Sequence, residues 1–421
     1  MKFIITGCDC SGKTTCVEKL KKYFTDFKFE KRKSSQNIND DSWKIKEVGR
    51  VNNDNKEKYC NVVWERFPEI DDLVYSNIFK KKKSIFEENE YIFSKTLNEL
   101  SQHIIIYLYA KDNVLKERLR DRKDEYVKEN QIEEILKQYS YYLQLIEEKG
   151  GIVYKIDTSS LTPEQTFAEV KKIIEKNKTL YYAPIVKSNC LDLIENYPYQ
   201  MCLAGIALND KTYLNFYKKQ VEKGHYVIMD NGLYEDNVPS YLDLISLYNY
   251  VKPREIIIED NWNPSKNVEK AGYFINHVLN KLNYDYNTMI IPHGKDNDEL
   301  LSNLKVLLSK YSHFINCIGI PKKNINSELI KNIELILSSG NGQFDYIRIH
   351  ILGMRKNLNI AKFSDKIRGF DSSIAYIYSS LKKEITPEFD RGNIEMNWNA
   401  KEEIDKKLLK ENIENIYEYI N

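Results

Sequence analysis

Lys2-Phe3-Ile4-Ile5-Thr6-Gly7-Cys8-Asp9-Cys10-Ser11-Gly12-Lys13-Thr14-Thr15 stands at the head of the sequence and decides how its first half is read. Residues 2–6 form a short apolar run that reads as a buried strand. Residues 7–14 fit G-x-x-x-x-G-K-[ST], and Thr14 to Phe24 continues with Val17, Leu20 and Phe24 on one helical face. A glycine-rich turn between a strand and a helix lets backbone N–H groups curl around phosphate oxygens, and the helix N-terminus adds its positive dipole end. The spacing therefore predicts a nucleotide site built from Gly7, Asp9, Ser11, Gly12, Lys13, Thr14 and Thr15. In it Lys13 reaches the β/γ-phosphates and the Thr14 hydroxyl binds Mg2+. ATP and Mg2+ are the cofactors expected.

Working outward, strands are expected near 2–6, 27–31, 61–64, 103–109 and 151–157, with helical stretches between them. Thr162-Pro163-Glu164 starts a last helix running to about Lys176. This alternation predicts an α/β unit, a parallel sheet covered by helices, over residues 1–178. The polar stretch Glu175–Thr179 reads as a linker. The alternation then restarts, with strands expected at Tyr181–Lys187, Gln200–Leu208, His225–Asp230, Glu255–Asp260, Thr288–His293, Phe314–Ile320, Tyr346–Leu352 and Lys366–Asp371. Eight β-runs with intervening helices over 179–421 have the size and order of a TIM-like (β/α)8 barrel.

Composition limits the function classes. The 421 residues are 42% hydrophobic and 30% charged, the make-up of a folded globular chain. Lys and Arg number 63 against 62 Asp and Glu, a net charge of +1. Residues 179–421 hold 29 Lys and Arg against 31 Asp and Glu, a net of −2, which leaves +3 for residues 1–178. A protein that holds a polynucleotide contacts its phosphates with an excess of Lys and Arg. DNA and tRNA are therefore disfavoured as partners, although a local basic patch is compatible with the total. No apolar run reaches the roughly 18 residues of a membrane-crossing helix, and the chain meets Gly7 too early for a signal peptide. Seven cysteines without disulfide-like spacing point to a reducing cytoplasm. Cys8 and Cys10 lack the ligand count of a zinc site, and the lysine run Lys80–Lys83 reads as a solvated turn.

Asp9 inside the loop, Glu65-Arg66 at the end of the third strand, and Arg118-Leu119-Arg120-Asp121-Arg122 after the fourth resemble the thymidylate kinase and deoxynucleotide kinase family. The resemblance covers about 1–178. It implies a P-loop α/β/α kinase domain in which Asp9 contacts the acceptor sugar or a nearby cation. Arg66 would hold the acceptor phosphate, and Arg118 and Arg122 would form a lid over the transferring group. Lys13, Arg118 and Arg122 are then the catalytic candidates, which suits a reaction that is mostly positioning and charge neutralisation. Glu65 stands where that family commonly has aspartate. An ordinary solvated helix face is the alternative for the three arginines.

In the second half, Asp230-Asn231-Gly232, Pro292-His293-Gly294, Gly319-Ile320-Pro321, His350-Ile351-Leu352-Gly353 and Arg368-Gly369-Phe370-Asp371 occur in that order. The series resembles the tRNA-guanine transglycosylase superfamily, most closely its phage branch that places 7-deazaguanines in DNA. The resemblance implies that Asp371 is the nucleophile, that Asp230 assists the exchange, and that Asp260, Asn231, Gly294 and Gly353 bind the base. Glu235 would be a supporting neighbour. Capping of the following helix is the alternative for any one of these aspartates. The superfamily's zinc cysteines have no counterpart after Asp371, so no zinc is expected.

Together the two halves imply a bifunctional cytoplasmic transferase, phage-encoded and working in a host cytoplasm. Guanine of dGMP is exchanged for a 7-deazaguanine, and the product is then phosphorylated by ATP. Two alternatives stay open: a transglycosylase acting on DNA fused to a separate thymidylate kinase, and a phosphate loop that only senses ATP. Homodimerisation is a further open point.

Overall fold

The computed structural model describes residues 2–31, 60–80, 83–122, 127–233, 238–322, 325–340, 343–344, 346–354, 358–386, 396 and 404–421. Contacts divide the chain into two compact units, Met1–Lys178 and Thr179–Asn421. The first contains β1 (Lys2–Thr6), α1 (Lys13–Tyr23), β2 (Lys28–Lys31), β3 (Val62–Glu65), α2 (Pro68–Tyr75), α3 (Glu90–Leu100), β4 (Ile104–Tyr109), α4 (Asp112–Arg122), α5 (Ile132–Glu148), β5 (Ile152–Asp157) and α6 (Pro163–Asn177). Its strands lie within one residue of those expected and pair in parallel in the order β2-β3-β1-β4-β5. Central β1 is apolar through its middle because both of its faces are covered: Phe3, Ile4 and Ile5 are fully buried. The start of α6 follows from its sequence. Thr162 accepts from Gln165 N, and the Gln165 side chain accepts from Thr162 N, a reciprocal cap with Pro163 in the first turn.

The second unit contains β6 (Tyr181–Pro184), β7 (Tyr199–Cys202), α7 (Ala204–Asn209), α8 (Lys211–Glu222), β8 (Tyr226–Met229), α9 (Tyr241–Val251), β9 (Glu255–Ile257) and α10 (Pro264–His277). It continues with β10 (Asn287–Ile290), α11 (Asn297–Tyr311), β11 (Cys317–Pro321), α12 (Ser327–Ser338), β12 (Arg348–Leu352), β13 (Ile367–Ser372), α13 (Ile374–Ser380) and α14 (Lys406–Ile420). The eight strands form one parallel sheet in the order β6-β13-β12-β11-β10-β9-β8-β7. The sheet curls until its edge strands meet, and Tyr181 of β6 stacks on Tyr199 of β7 with ring centroids 4.8 Å apart across the seam. The result is a nearly closed, barrel-like sheet. Helix starts are again written in the sequence: Asp210, Ser240, Asn263, Asp296, Asn326 and Asp405 each accept from backbone N–H groups of the turn they precede. Each such cap contributes about 1 kcal/mol.

Gln200–Leu208, expected as one strand, is instead strand and helix. β7 ends at Cys202, and α7 begins at Ala204, whose N–H donates to Asp230 Oδ1. The small residues Ala204, Gly205 and Ala207 are buried there, so a continuous apolar run hid the change of element. Six other expected strands are shorter, four of them by three residues at one end. β6 stops at Pro184, β9 at Ile257 and β10 at Ile290, while β11 starts at Cys317 behind a 3-10 turn at Ser312–Phe314. Asp260 and His293 therefore lie on loops three residues past their strands.

One irregularity organises the interior of the curled sheet. Ile349 pairs with Ile367 but His350 pairs with Gly369, so β13 places two residues against one step of β12. Strand side chains alternate between faces, and residues three apart normally point opposite ways. The bulge at Arg368 resets that phase. Arg368 and Asp371 both face the interior, where Tyr181, Ala183, Tyr199, Tyr226 and Met289 pack. Gly369 is required beside it, since a Cβ there would sit 2.3 Å from Tyr181 O. Arg368 reaches across the interior to Glu255 of β9 with bonds of 2.6 and 2.8 Å, both groups fully buried. Burial alone would raise the Glu255 carboxyl, and Arg368 holds it below its ordinary value.

Removing one partner of this pair strands a buried charge. Arg368→Met is expected to destabilise the second unit by about 3–5 kcal/mol, whereas Arg368→Met with Glu255→Leu costs markedly less. Urea denaturation of the two variants checks this.

Candidate functional site

Gly7 has φ of 146°, and a Cβ there would meet Leu108 O at 2.0 Å, so only glycine lets the loop leave β1 against β4. Gly12, with φ of 92°, precedes the first residue of α1. Lys13 is buried, and its Nζ donates to Gly7 O at 2.7 Å and Cys8 O at 2.6 Å within the loop. Burial and the nearby Arg66 lower its ammonium to about 8, against the opposing pull of Asp9. Ser11 Oγ is buried without a hydrogen-bond partner among the described residues, which suits a loop shaped for an additional ligand. Thr15 is exposed in the first turn of α1.

Arg66, just past β3, adopts φ of 63°, a region that non-glycine residues enter at a cost of about 1–3 kcal/mol and that clusters at functional sites. This conformation aims its guanidinium into the loop, where it pairs with Asp9; Tyr75 Oη also donates to Asp9 at 3.4 Å. Burial would raise the Asp9 carboxyl, but Arg66 and Lys13 together hold it below its ordinary value. Thr14 Oγ1 donates to Glu65 Oε1 at 2.6 Å. A hydroxyl and a carboxylate side by side are hard oxygen donors of the kind Mg2+ takes alongside nucleotide phosphates. Arg118 donates to Cys10 O at 3.4 Å and to Thr158 O at 2.7 Å, which holds it against the loop. Arg122 is exposed on the last turn of α4, with no hydrogen bond to the loop among the described residues. Arg120 pairs with Glu129 at the surface.

A second cluster lies at and beyond the C-terminal ends of β8, β9, β10, β12 and β13. Asp371, near the end of β13, accepts from Gly353 N at 3.1 Å, and its Oδ1 lies 3.0 Å from His350 Nε2. Asp260 Oδ2 lies 2.6 Å from His293 Nε2, and its Oδ1 accepts from Asn231 Nδ2 at 3.1 Å. Trp262 sits edge-on to the His293 ring, centroids 4.6 Å apart. Asp230 is half-buried and accepts from Ala204 N at the start of α7, a helix that precedes it in sequence and not the following helix, which Ser240 caps. Gly294 packs against the start of α11, where a Cβ would meet Leu300 N at 2.3 Å. Gly353 reaches the carboxylate of Asp371 with its own N–H. Glu235 lies outside the described residues, as do Lys81 and Lys82 of the lysine run.

Burial lowers the fully buried His350 against the opposing hydrogen bond from Asp371. Sequence reasoning quoted His350 only within its motif and gave it no role. It also missed Thr158, Tyr199 and Arg368, and took Glu65 only as a departure from a family pattern. The Glu-Arg pair at a strand end was a usable signal for Glu65. Thr158 left none, being joined to Arg118 only by folding. Among the described residues, no three His, Cys, Asp or Glu side chains form a metal-binding group, and no helix is long and apolar enough to cross a membrane.

No family model matches the sequence. The N-terminal part is similar to the SPbeta prophage-derived uncharacterized protein YorR of Bacillus subtilis (strain 168), at 28% identity over 177 residues, 41% of this chain and 98% of YorR. A crystal structure of the YorR protein in complex with phosphorylated GDP is 24% identical, covering 42% of this chain and 96% of its own, with a TM-score of 0.32. Deoxyadenosine kinase from M. mycoides with products dCMP and dCDP is 16% identical over 42% of this chain and 100% of its own, TM-score 0.30. Thymidylate kinase from Candida albicans is also 16% identical, over 42% of this chain and 91% of its own, TM-score 0.30.

Lys13 is charged below about pH 8 and neutral above it. A phosphate ligand favours the charged form, so ATP binding is expected to weaken by up to about tenfold per pH unit above 8 and to take up close to one proton at pH 9. Calorimetry in buffers of different ionisation enthalpy measures that uptake, which Lys13→Ala should abolish.

Proposed function

We propose that the chain carries out two transfers on one deoxynucleotide, exchanging the guanine of dGMP for a 7-deazaguanine and then phosphorylating the product with ATP. The kinase half rests on one observation above others: Arg66, in a left-handed backbone conformation, is delivered onto Asp9 inside a glycine-rich phosphate loop. Buried Lys13 and the Thr14–Glu65 pair stand in the same loop region. In this reading Arg66 holds the acceptor monophosphate, Asp9 contacts the acceptor sugar or a nearby cation, Lys13 and Arg118 face the transferring phosphoryl group, and Arg122 comes to it only through movement of the helix end. Thr14 and Glu65 would hold Mg2+, which supplies charge neutralisation on the phosphates. An oxygen of the acceptor phosphate attacks the γ-phosphorus, and ADP leaves with the electron pair of the broken P–O bond.

The second unit is read as a (β/α)8 barrel of the transglycosylase kind. What supports this is Asp371, presented by Gly353 N–H and His350 at the C-terminal end of a parallel strand, where such barrels carry their chemistry. An Asp371 oxygen attacks C1′, the C1′–N9 bond breaks, and the departing purine takes a proton from an acidic group, for which Asp230 is the candidate. Asp260, with Asn231 and His293 on its two oxygens, is the candidate for the purine edge, with Gly294 and Gly353 beside it. The incoming 7-deazaguanine then attacks C1′ through N9, passes its N9 proton to the Asp230 carboxylate left by the first step, and releases the Asp371 carboxylate as the Asp371–C1′ bond breaks. The near-balance of charge favours nucleotides over polymers, and the prophage-derived relative is in keeping with a phage-type role.

Labelled guanine or a 7-deazaguanine is offered with dGMP, dGTP, tRNA or duplex DNA in parallel. Label is expected in dGMP; label entering DNA alone would sink the reading. Asp371→Ala should lower exchange by at least about a thousandfold and leave phosphorylation of deoxymonophosphates intact. Lys13→Ala should do the converse.

A further inference from the structure

The buried hydrogen bonds behind Asp371 have a direction, and Arg368 sets it. A guanidinium offers donors only, so Arg368 Nε donates to Tyr199 Oη at 2.9 Å. The phenol oxygen, already accepting, has one proton of its own, and His350 Nδ1 lies 2.8 Å away to receive it. With Nδ1 accepting, the proton of a neutral imidazole is left on Nε2, 3.0 Å from Asp371 Oδ1. Reversal would leave the buried phenol proton without an acceptor, since a guanidinium cannot accept. The far end of the relay is anchored as firmly. Arg368 Nη1 and Nη2 bind the two oxygens of Glu255, Nη1 also donates to Tyr226 Oη at 3.1 Å, and Tyr226 Oη donates to Glu255. Tyr199, His350, Arg368 and Glu255 are each at most 1% exposed, so water does not compete for these bonds. An imidazolium at His350 would add a second buried cation next to Arg368, which burial disfavours.

We propose that His350 is a positioning residue for Asp371: the Glu255–Arg368–Tyr199 relay locks it as the neutral Nε2–H tautomer. Asp371 is thereby presented as an oriented carboxylate and not as a base that shares a proton with histidine. The inference rests on the reading of Asp371 as nucleophile given above. A neutral imidazole gives up its Nε2 proton to a carboxylate only by becoming imidazolate, so Asp371 keeps its negative charge and a free electron pair for C1′. The bulge is what makes the arrangement available, because it brings Arg368 and Asp371 to the same side of β13.

The test has two separable arms. The full chain holds six histidines, so 15N labelling of their rings gives a readable long-range 1H–15N spectrum, with His350 assigned from its loss in His350→Gln. Between pH 6.5 and 8 the wild type should show His350 with Nε2 protonated and Nδ1 bare throughout, and Tyr199→Phe should move it towards a mixture. A wild-type Nδ1–H tautomer, a mixture or an imidazolium in that range overturns the proposal, whatever the activity. In the exchange assay, His350→Gln places an amide N–H where Nε2–H stood and should keep kcat within about threefold. His350→Leu should lose about tenfold or more in kcat with little change in KM, as expected for one oriented hydrogen bond. Wild-type kcat in His350→Leu would also overturn the positioning role. If no acceptor supports exchange in the wild type, the transglycosylase reading fails, while the tautomer arm still judges the relay.

Discussion

The bidentate bond between Arg368 and Glu255 is the constraint on which the second unit depends. Its partners stand four strands apart in an eight-stranded sheet that curls to meet itself, so the bond crosses the interior and ties opposite walls together. A buried ion pair is a poor source of net stability, because desolvating both charges offsets most of their attraction. Its value lies in specificity. A charge in this interior tolerates only the register that supplies its partner, and Tyr199 and Tyr226 stack around the guanidinium in keeping with that register. The bulge at Arg368 and the missing side chain at Gly369 are the backbone's accommodation to that requirement.

From that pair the chemistry of the rim follows by a chain of donors. Arg368 orients Tyr199, Tyr199 orients His350, and His350 faces Asp371. Rigidity in the interior of the sheet thus becomes orientation at Asp371. In the first unit the same principle works through the backbone. Arg66 is held in an unfavourable conformation by its neighbours, and the strain places a cation against Asp9 in the phosphate loop. Both units gather these groups near or just past strand ends, where side chains from several strands converge.

Much of this was legible beforehand, for identifiable reasons. The phosphate loop is a local motif, since strand, turn and helix are contiguous and glycine is needed at Gly7 whatever else folds around it. Helix starts such as Thr162-Pro163 and Ser240 depend on residues within one turn. Strand ends were less legible. An apolar run such as Met201–Leu208 carries no mark of where pairing stops, so α7 was hidden inside an expected strand. Asp230 shows the limit from the other side: its residue type suits both catalysis and capping, and only the fold places Ala204 N against it. Arg118 and Arg122 share a helix and a charge, yet one is bonded to the loop and the other is exposed.

The amino-acid sequence by itself determined the two-part α/β organisation, the phosphate loop with Lys13 and Thr14, and the set of acidic residues near the strand ends of the second unit. These depend on hydrophobic period, local turn chemistry and residue type, which act over a few neighbours. Tertiary structure alone decided that Glu65 meets Thr14, that Arg66 turns onto Asp9, and that Arg368, Tyr199 and His350 line up behind Asp371. Those partners are between 21 and 169 residues apart, and pairing at such distances is set by strand order and register. The one-residue bulge at Arg368 is the sharpest case, since it changes which face a side chain occupies and leaves the periodic pattern of the sequence almost unaltered.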